Sequence, residues 1–282
     1  MVLKSEETKK IKEFVYIKPR TIQEIAQQIK KSWRTTNSYV EKISQETGEI
    51  SVRTLREGTR GAVKIVYWNN IDKIHHTQAQ ERLHKQIELG KDKTDFSPFD
   101  IYQYVDKNKR NSFLEDQEEN TLTVKHDLKG ALLKAQKRLL IFSGDFSWAN
   151  LTQEGKSFLD LFEDLARNDI TIKILARVDI NSYRNIKKIY DLNAKIGKER
   201  IEIRHCEQPL RAFIIDNKLA KLKEIRDYED YYKKSKSKTY IFYEIYDEQW
   251  IEWLEKVFWN LFRISISAKQ RFEDLKTIKG VE

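Results

Sequence analysis

Two sets of side chains in this 282-residue sequence have the types needed for molecular recognition. The first is Arg34-Thr35-Thr36-Asn37-Ser38, with Lys42 after it and Lys31 before it. Hydroxyl, amide and guanidinium groups read base edges, and flanking cations meet phosphates. Arg53, Arg56, Arg60 and Lys64 follow as candidates for further phosphate or minor-groove contacts. The second set is Ser143, Asp145, Arg177, Arg204, Arg211 and Asp216, each near the end of a short apolar run. Open α/β sheets hold ligands at such strand ends, and Arg211 there can hold an anion. The competing reading makes Arg211 and Asp216 a structural pair or a turn contact.

Catalytic and metal chemistry have less to work with. Cys206 stands alone, which leaves no intrachain disulfide and no thiolate zinc cluster and fits a reducing compartment. His75, His76 and His84 lack a cysteine or carboxylate completing a short ligand pattern, so they read as solvated. No metal, cofactor or catalytic residue is expected.

The first set must be positioned by the first seventy residues. Ile11, Phe14, Val15 and Ile17 form an apolar stripe that ends at Pro19, and Thr21 with Glu24 makes a capping box for a second helix through Ile22, Ile25, Ala26 and Ile29. After the Lys30-Lys31-Ser32 turn, Thr35 to Ser44 is a third helix with Tyr39, Val40 and Ile43 inward, stopped by Gly48. Ile50, Val52 and Leu55 alternate as a strand, and Val63, Ile65, Tyr67 and Trp68 run as its partner. Trp33 reads as a packing residue rather than a base-stacking one. Thr21-Ile-Gln-Glu-Ile-Ala, Thr36-Asn-Ser-Tyr-Val-Glu-Lys-Ile and the Gly48 turn resemble the archaeal and bacterial winged helix-turn-helix families. That resemblance implies a recognition helix carrying Arg34 to Lys42 and a wing carrying Arg53 to Lys64, both on double-stranded DNA. Such helices also serve as protein-docking modules.

Residues 71–120 read as a helical connector and linker. Ile71, Ile74, Ala79, Leu83 and Ile87 predict an amphipathic helix from Asn70 to Leu89, and Gly90 to Asn120 has the composition of a linker with one short ordered piece at Phe99 to Val105.

Residues 121–282 must position the second set. Here helical and strand patterns alternate, which predicts βαβ units on a largely parallel sheet. The expected helices are Leu128 to Leu139, Phe158 to Ala166, Ile186 to Ile196 and Glu248 to Phe262, and the strands include Leu140 to Phe142, Ile170 to Ala176, Ile201 to His205 and Tyr240 to Ile245. Trp250, Trp253, Phe258, Trp259 and Phe262 recur at helical spacing and are assigned to packing. This pattern resembles one half of a phospholipase D-like domain, as in the C-terminal sensing domains of archaeal TrmB-type regulators. The family's active signature is HxKxxxxD. The segment Pro209 to Asp216 keeps its Asp but has Arg211 for the Lys and Pro209 for the nucleophilic His, and His205 is out of register. The resemblance therefore implies a catalytically degenerate domain.

The charge balance agrees with a polyanionic partner. The chain carries 53 Lys and Arg against 44 Asp and Glu, a net +9, and residues 1–70 alone hold 14 basic and 8 acidic residues. No run is long and apolar enough to span a membrane and the first twenty residues are charged throughout, so a cytoplasmic protein is expected. The expected fold is thus α/β plus winged helix: residues 1–70 a winged helix-turn-helix, 71–120 a helical connector, 121–282 a phospholipase D-like α/β domain. The expected function is a sequence-specific transcriptional regulator, a homodimer with room for a small-molecule effector. The alternatives are a phospholipase D-like nuclease targeted to DNA and a chromatin-like DNA-coating protein.

Overall fold

The computed structural model describes residues 3, 5–17, 19–56, 62–68, 77–116, 127–153, 155–230 and 235–279. The chain divides into two compact units, Met1–Lys73 and Ile74–Glu282.

In the first unit, α1 (Ser5–Ile17) leads into the short strand β1 (Arg20–Thr21), α2 (Ile22–Ile29), α3 (Trp33–Thr47) and a hairpin of β2 (Ile50–Arg56) and β3 (Ala62–Trp68). The strands form an antiparallel sheet in the order β1-β3-β2. Local chemistry sets each boundary. The Thr21 hydroxyl accepts from Glu24 N at 3.2 Å while the Glu24 carboxylate accepts from Thr21 N at 2.7 Å, closing the capping box that starts α2. Ser32 Oγ accepts from Thr35 N at 3.1 Å and starts α3, and Gly48, at φ 63°, ends it in the left-handed conformation that glycine adopts without strain. Ile11, Val15, Ile22, Ile25, Tyr39, Val40, Ile43, Ile50 and Val66 pack as one core.

Two expectations for α3 change. Thr36 shares the inward stripe with Tyr39, Val40 and Ile43 and is fully buried, so it reads no base. Trp33 lies one turn before that stripe, past the end of the apolar cluster, and is 46% exposed rather than packed.

The second unit begins with α4 (Gln78–Leu89), α5 (Phe99–Tyr102) and β4 (Arg110–Asp116). It continues through α6 (Leu128–Leu133), β5 (Arg138–Phe142), a small hairpin of β6 (Thr152–Gln153) and β7 (Lys156–Ser157), α7 (Phe158–Arg167), β8 (Thr171–Ala176), α8 (Tyr183–Ile196) and β9 (Ile201–His205). The last elements are β10 (Ala212–Ile215), β11 (Leu219–Asp230), β12 (Ser235–Ile245), α9 (Glu248–Ile264), β13 (Ile266–Ser267) and α10 (Ala268–Lys279). Eight strands form one sheet in the order β13-β9-β8-β5-β10-β11-β12-β4. Strands β5, β8 and β9 are parallel, and every other pairing is antiparallel. The sheet is therefore mixed, not largely parallel as expected. Strands β10 and β11 are joined through the tight turn Asp216–Lys218, which permits only an antiparallel pair.

Both faces are covered. Along β5, Leu140 and Phe142 point into a core with α9, and Leu139 and Ile141 into a core with α6, α7 and α8, as the alternation of a strand requires. Trp253, Phe258, Trp259 and Phe262 of α9 are buried in the first of these cores, and Trp250 is nearly so.

Within the segment 71–120, the described residues 77–116 are not a free connector. Leu83, Ile87, Phe96, Ile101 and Val105 belong to the α9 core, and β4 is an edge strand of the sheet. The expected helix from Asn70 is observed as Gln78–Leu89, residues 70–76 lying outside those described. The helix expected to reach Leu139 ends at Leu133, because the β5 pairing already begins at Arg138.

The Thr36 hydroxyl is buried with no hydrogen-bond partner among the described residues. Removing an unsatisfied hydroxyl at constant shape is favourable, so Thr36→Val is expected to raise stability by about 1 kcal/mol, read as a higher urea midpoint at unchanged slope.

Candidate functional site

On α3, Arg34, Ser38 and Lys42 are exposed and spaced four residues apart, so they form one solvent-facing stripe. Arg34 has no ion-pair or hydrogen-bond partner among the described residues. Lys42 leans toward Glu46 at 3.7 Å in an exposed pair of little net worth, and Lys31 toward a half-buried Glu7 at 3.3 Å. Trp33 adjoins the N-terminal end of the stripe, and the Lys64 ammonium lies 5.9 Å from its ring centroid.

Other members of the first set are engaged within the protein. Thr35 gives its backbone N–H to the Ser32 cap, and its hydroxyl lies 2.9 Å from that of Ser32. Asn37 donates to Glu41 at 3.1 Å and accepts from Lys64 at 2.8 Å, while Lys64 also reaches Glu41 at 3.0 Å. These three side chains tie β3 to α3, so Asn37 and Lys64 shape the helix face more than they extend from it. The side chains of Arg53 and Arg56, and the whole of Arg60, lie outside the described residues.

The second unit holds a crevice of about 400 Å³ at the C-terminal ends of β5 and β8 and the start of β10. Strand β10 runs antiparallel to β5 with Ala212 opposite Phe142, so Arg211 arrives beside the loop that follows β5. Three of the six predicted residues line the crevice: Asp145, Arg177 and Arg211. Arg211 Nη1 donates to the carbonyls of Leu210 at 2.7 Å and Gln208 at 3.3 Å, which leaves Nε and Nη2 without a partner among the described residues. The guanidinium lies against Gly144, where a Cβ would fall 2.5 Å from Nη2 and 2.7 Å from Nε. Burial pulls the Arg211 guanidinium below its ordinary value, and the charge of Asp145 opposes that shift. Desolvation acts to raise the Asp145 carboxyl, but the Ser147 N–H at 3.0 Å and the Arg211 charge outweigh it and hold the carboxyl low.

Three predicted residues do other work. Ser143 is buried beneath the crevice, its hydroxyl accepting from Trp148 Nε1 at 2.9 Å and its carbonyl from Gln208 at 2.9 Å. Arg204 donates to Phe262 O at 2.9 Å, near the C-terminal end of α9, with its guanidinium over the Phe262 ring, and so docks that helix on β9. Asp216 sits beyond the far end of β10, at a left-handed φ of 50°, and its carboxylate accepts from the backbone N–H groups of Gln136, Lys137 and Arg138. The Asp of the degenerate motif thus holds a turn.

Sequence reasoning missed Lys93, Trp148, Phe213, Lys223 and Phe242, which also line the crevice. The alternation of Phe213 in β10 and of Lys223 in β11 was the available signal, whereas Lys93 was hidden in the supposed linker. Pro209, at the nucleophile position, is buried against Gly90, where a Cβ would lie 2.8 Å from Pro209 Cγ. His205 Nδ1 accepts from Val178 N at 3.0 Å, and burial, with help from Arg271, pulls the imidazole below its ordinary value, so it is neutral at neutral pH. His84 is buried in α4, 3.4 Å from Glu88 and beside Asn260, not solvated as expected, and His75 and His76 lie outside the described residues. No helix among the described residues is long and apolar enough to cross a membrane.

No family model and no curated protein matches the chain. Among solved structures it is similar to Nuc from Salmonella typhimurium, a phospholipase D family member, at 11% identity over 56% of this chain and 98% of that one, TM-score 0.39. NucT from Helicobacter pylori matches at 12% identity over 56% and 99%, TM-score 0.39. TrmBL2, an archaeal chromatin protein with a novel mode of DNA binding, matches at 17% identity over 94% of both chains, TM-score 0.38.

A side chain at Gly144 cannot coexist with the observed Arg211 guanidinium. Gly144→Ala is expected to expel it and to lower stability by about 1–3 kcal/mol, checked by urea unfolding against the wild-type chain.

Proposed function

We propose that this protein is a DNA-binding transcriptional regulator, its first unit a winged helix-turn-helix that docks α3 in the major groove. The observation that carries this reading is the exposed stripe of Arg34, Ser38 and Lys42 on a strongly basic unit, with its opposite face fully used for the core. Arg34 is the base-reading candidate and Lys42 a phosphate contact. The second unit is a phospholipase D-like domain that binds a ligand rather than cleaving one. Buried Pro209 offers no nucleophile, and His205 already accepts a backbone N–H. Two-fold operators call for a homodimer, which the second unit or α4 provides.

Selection of duplex DNA by the purified chain tests the reading. A two-fold motif bound about a thousandfold more tightly than random duplex is expected. Tight binding without a motif would instead make the chain a DNA-coating protein. No binding would make α3 a protein-docking helix. Arg34→Ala is expected to weaken binding to the selected site by about 1–3 kcal/mol with little change on random duplex, and Lys42→Ala to weaken both alike and reduce the salt dependence. Plasmid incubated with the protein, with and without EDTA, should stay intact, and cleavage lost in His205→Ala would replace the sensor with a nuclease.

A further inference from the structure

The eight-stranded sheet ends differently on its two sides. One edge is β13, a strand of two residues that is too short to template pairing. The other is β4, seven residues in unbroken register with β12 and without proline, glycine or bulge. The bond from Tyr246 N to Lys109 O at 2.8 Å fixes which way its peptide groups point. Lys109 faces β12, and so by alternation do Asn111, Phe113 and Glu115, whereas the N–H and C=O groups of Arg110, Ser112, Leu114 and Asp116 point outward. Those outward groups have no backbone partner among the described residues. Asn111 and Ser112 are exposed, and Arg110 keeps its guanidinium on its own chain, donating to Tyr102 O and lying 4.4 Å from the Tyr102 ring centroid.

We propose that β4 pairs with the β4 of a second copy of this chain, antiparallel about a two-fold axis at Phe113, so that the two sheets join into one. The pairing supplies the homodimer that the regulator reading calls for, and it rests on that reading only for its use on DNA. In this register Arg110 stands opposite Asp116, Asn111 opposite Glu115 and Ser112 opposite Leu114. Arg110 with Asp116 and Ser112 with Leu114 then exchange both of their backbone bonds, and every outward group of the strand is used. A slip of two residues strands Arg110 or Asp116, and a slip of one sets outward groups against inward ones. Charge selects the same occupant. The strand is preceded by Lys107 and Lys109 and begins with Arg110, and it ends in Glu115 and Asp116 with Glu118 and Glu119 following in the sequence. An antiparallel copy lays each basic end on an acidic one, whereas a parallel copy would set like charges side by side.

The test uses the full chain without DNA, its mass in solution read by light scattering and its folding by thermal melts. The wild type is expected at twice the mass of one chain. Ser112→Pro removes an outward N–H while leaving the bonds to β12 in place, an edge position that tolerates proline, and should leave a folded monomer. Glu115→Lys combined with Asp116→Lys should raise the dimer dissociation constant by about tenfold. The register is read by cysteines in a Cys206→Ser background. Phe113 meets itself at a non-hydrogen-bonded position, with Cα atoms about 4.5 Å apart, so Phe113→Cys should oxidise to a cross-linked dimer. Asn111→Cys lies on the same face but opposite Glu115, which puts its symmetry mate about 13 Å away along the strand, and it should stay uncross-linked. A monomeric wild type, a folded Ser112→Pro variant that still dimerises, or a Phe113→Cys variant that cross-links no better than Asn111→Cys would overturn the proposal. A chain that dimerises through β4 and binds no duplex defeats the regulator role alone. A selected two-fold site bound by a chain whose Phe113→Cys variant does not cross-link defeats this pairing and keeps the regulator.

Discussion

Strand β10 enters the sheet antiparallel to β5, and the second unit is organised around that reversal. A parallel β10 would have delivered Arg211 to the opposite end of the sheet, beside Arg138. Because it runs back, Arg211 meets Gly144 and Asp145 at the crevice end, and Asp216 meets the start of β5 at the other. Arg211 and Asp216, which bracket the four residues of β10, thus lie at opposite ends of a strand roughly 13 Å long at the usual rise of about 3.3 Å per residue. One serves the crevice and the other closes a turn. The same reversal ends the parallel part of the sheet and lets β11, β12 and β4 extend it by antiparallel neighbours, which provides the floor on which Lys223 and Phe242 lie.

The floor carries buried charge. Lys221 and Glu244 pair at 2.5 Å across β11 and β12, with the Tyr246 hydroxyl donating to the same carboxylate at 2.7 Å, and Glu224 accepts from Tyr243 and Ser97. A buried ion pair is weak evidence for stability, but removing one partner leaves an uncompensated charge, so these groups limit which residues the crevice floor tolerates.

Local signals in the sequence were strong where one residue sets a boundary by itself. The Thr21 and Glu24 capping box, the Gly48 stop and the aromatic repeat of α9 all describe contacts within a few residues, and periodicity alone found most of the helices and strands. What was not legible depends on distant partners. Thr36 and Asn37 look alike as polar neighbours of Arg34, yet the rotation of about 100° between adjacent helix positions puts the first in the core and the second against Lys64. Trp33 lies one turn before the buried stripe and is exposed because the core ends before reaching it. Arg204 has the same local setting as Arg177, a basic residue at a strand end, and only the arrival of α9 commits it to a carbonyl. Polar composition made residues 90–120 resemble a linker, because an edge strand is half exposed and a turn fully so.

That segment has a consequence for how the chain can be divided. A polypeptide starting at Thr121, where the compositional change suggests a domain border, would leave β12 with a bare edge and expose the side of α9 that Leu83, Ile87 and Ile101 cover. It would carry an open hydrophobic groove and a strand free to pair with another molecule, both of which favour aggregation. The heritable and expressible piece therefore begins ahead of Gln78. A fusion made on its N-terminal side would retain α4 together with the face of α9 that α4 covers.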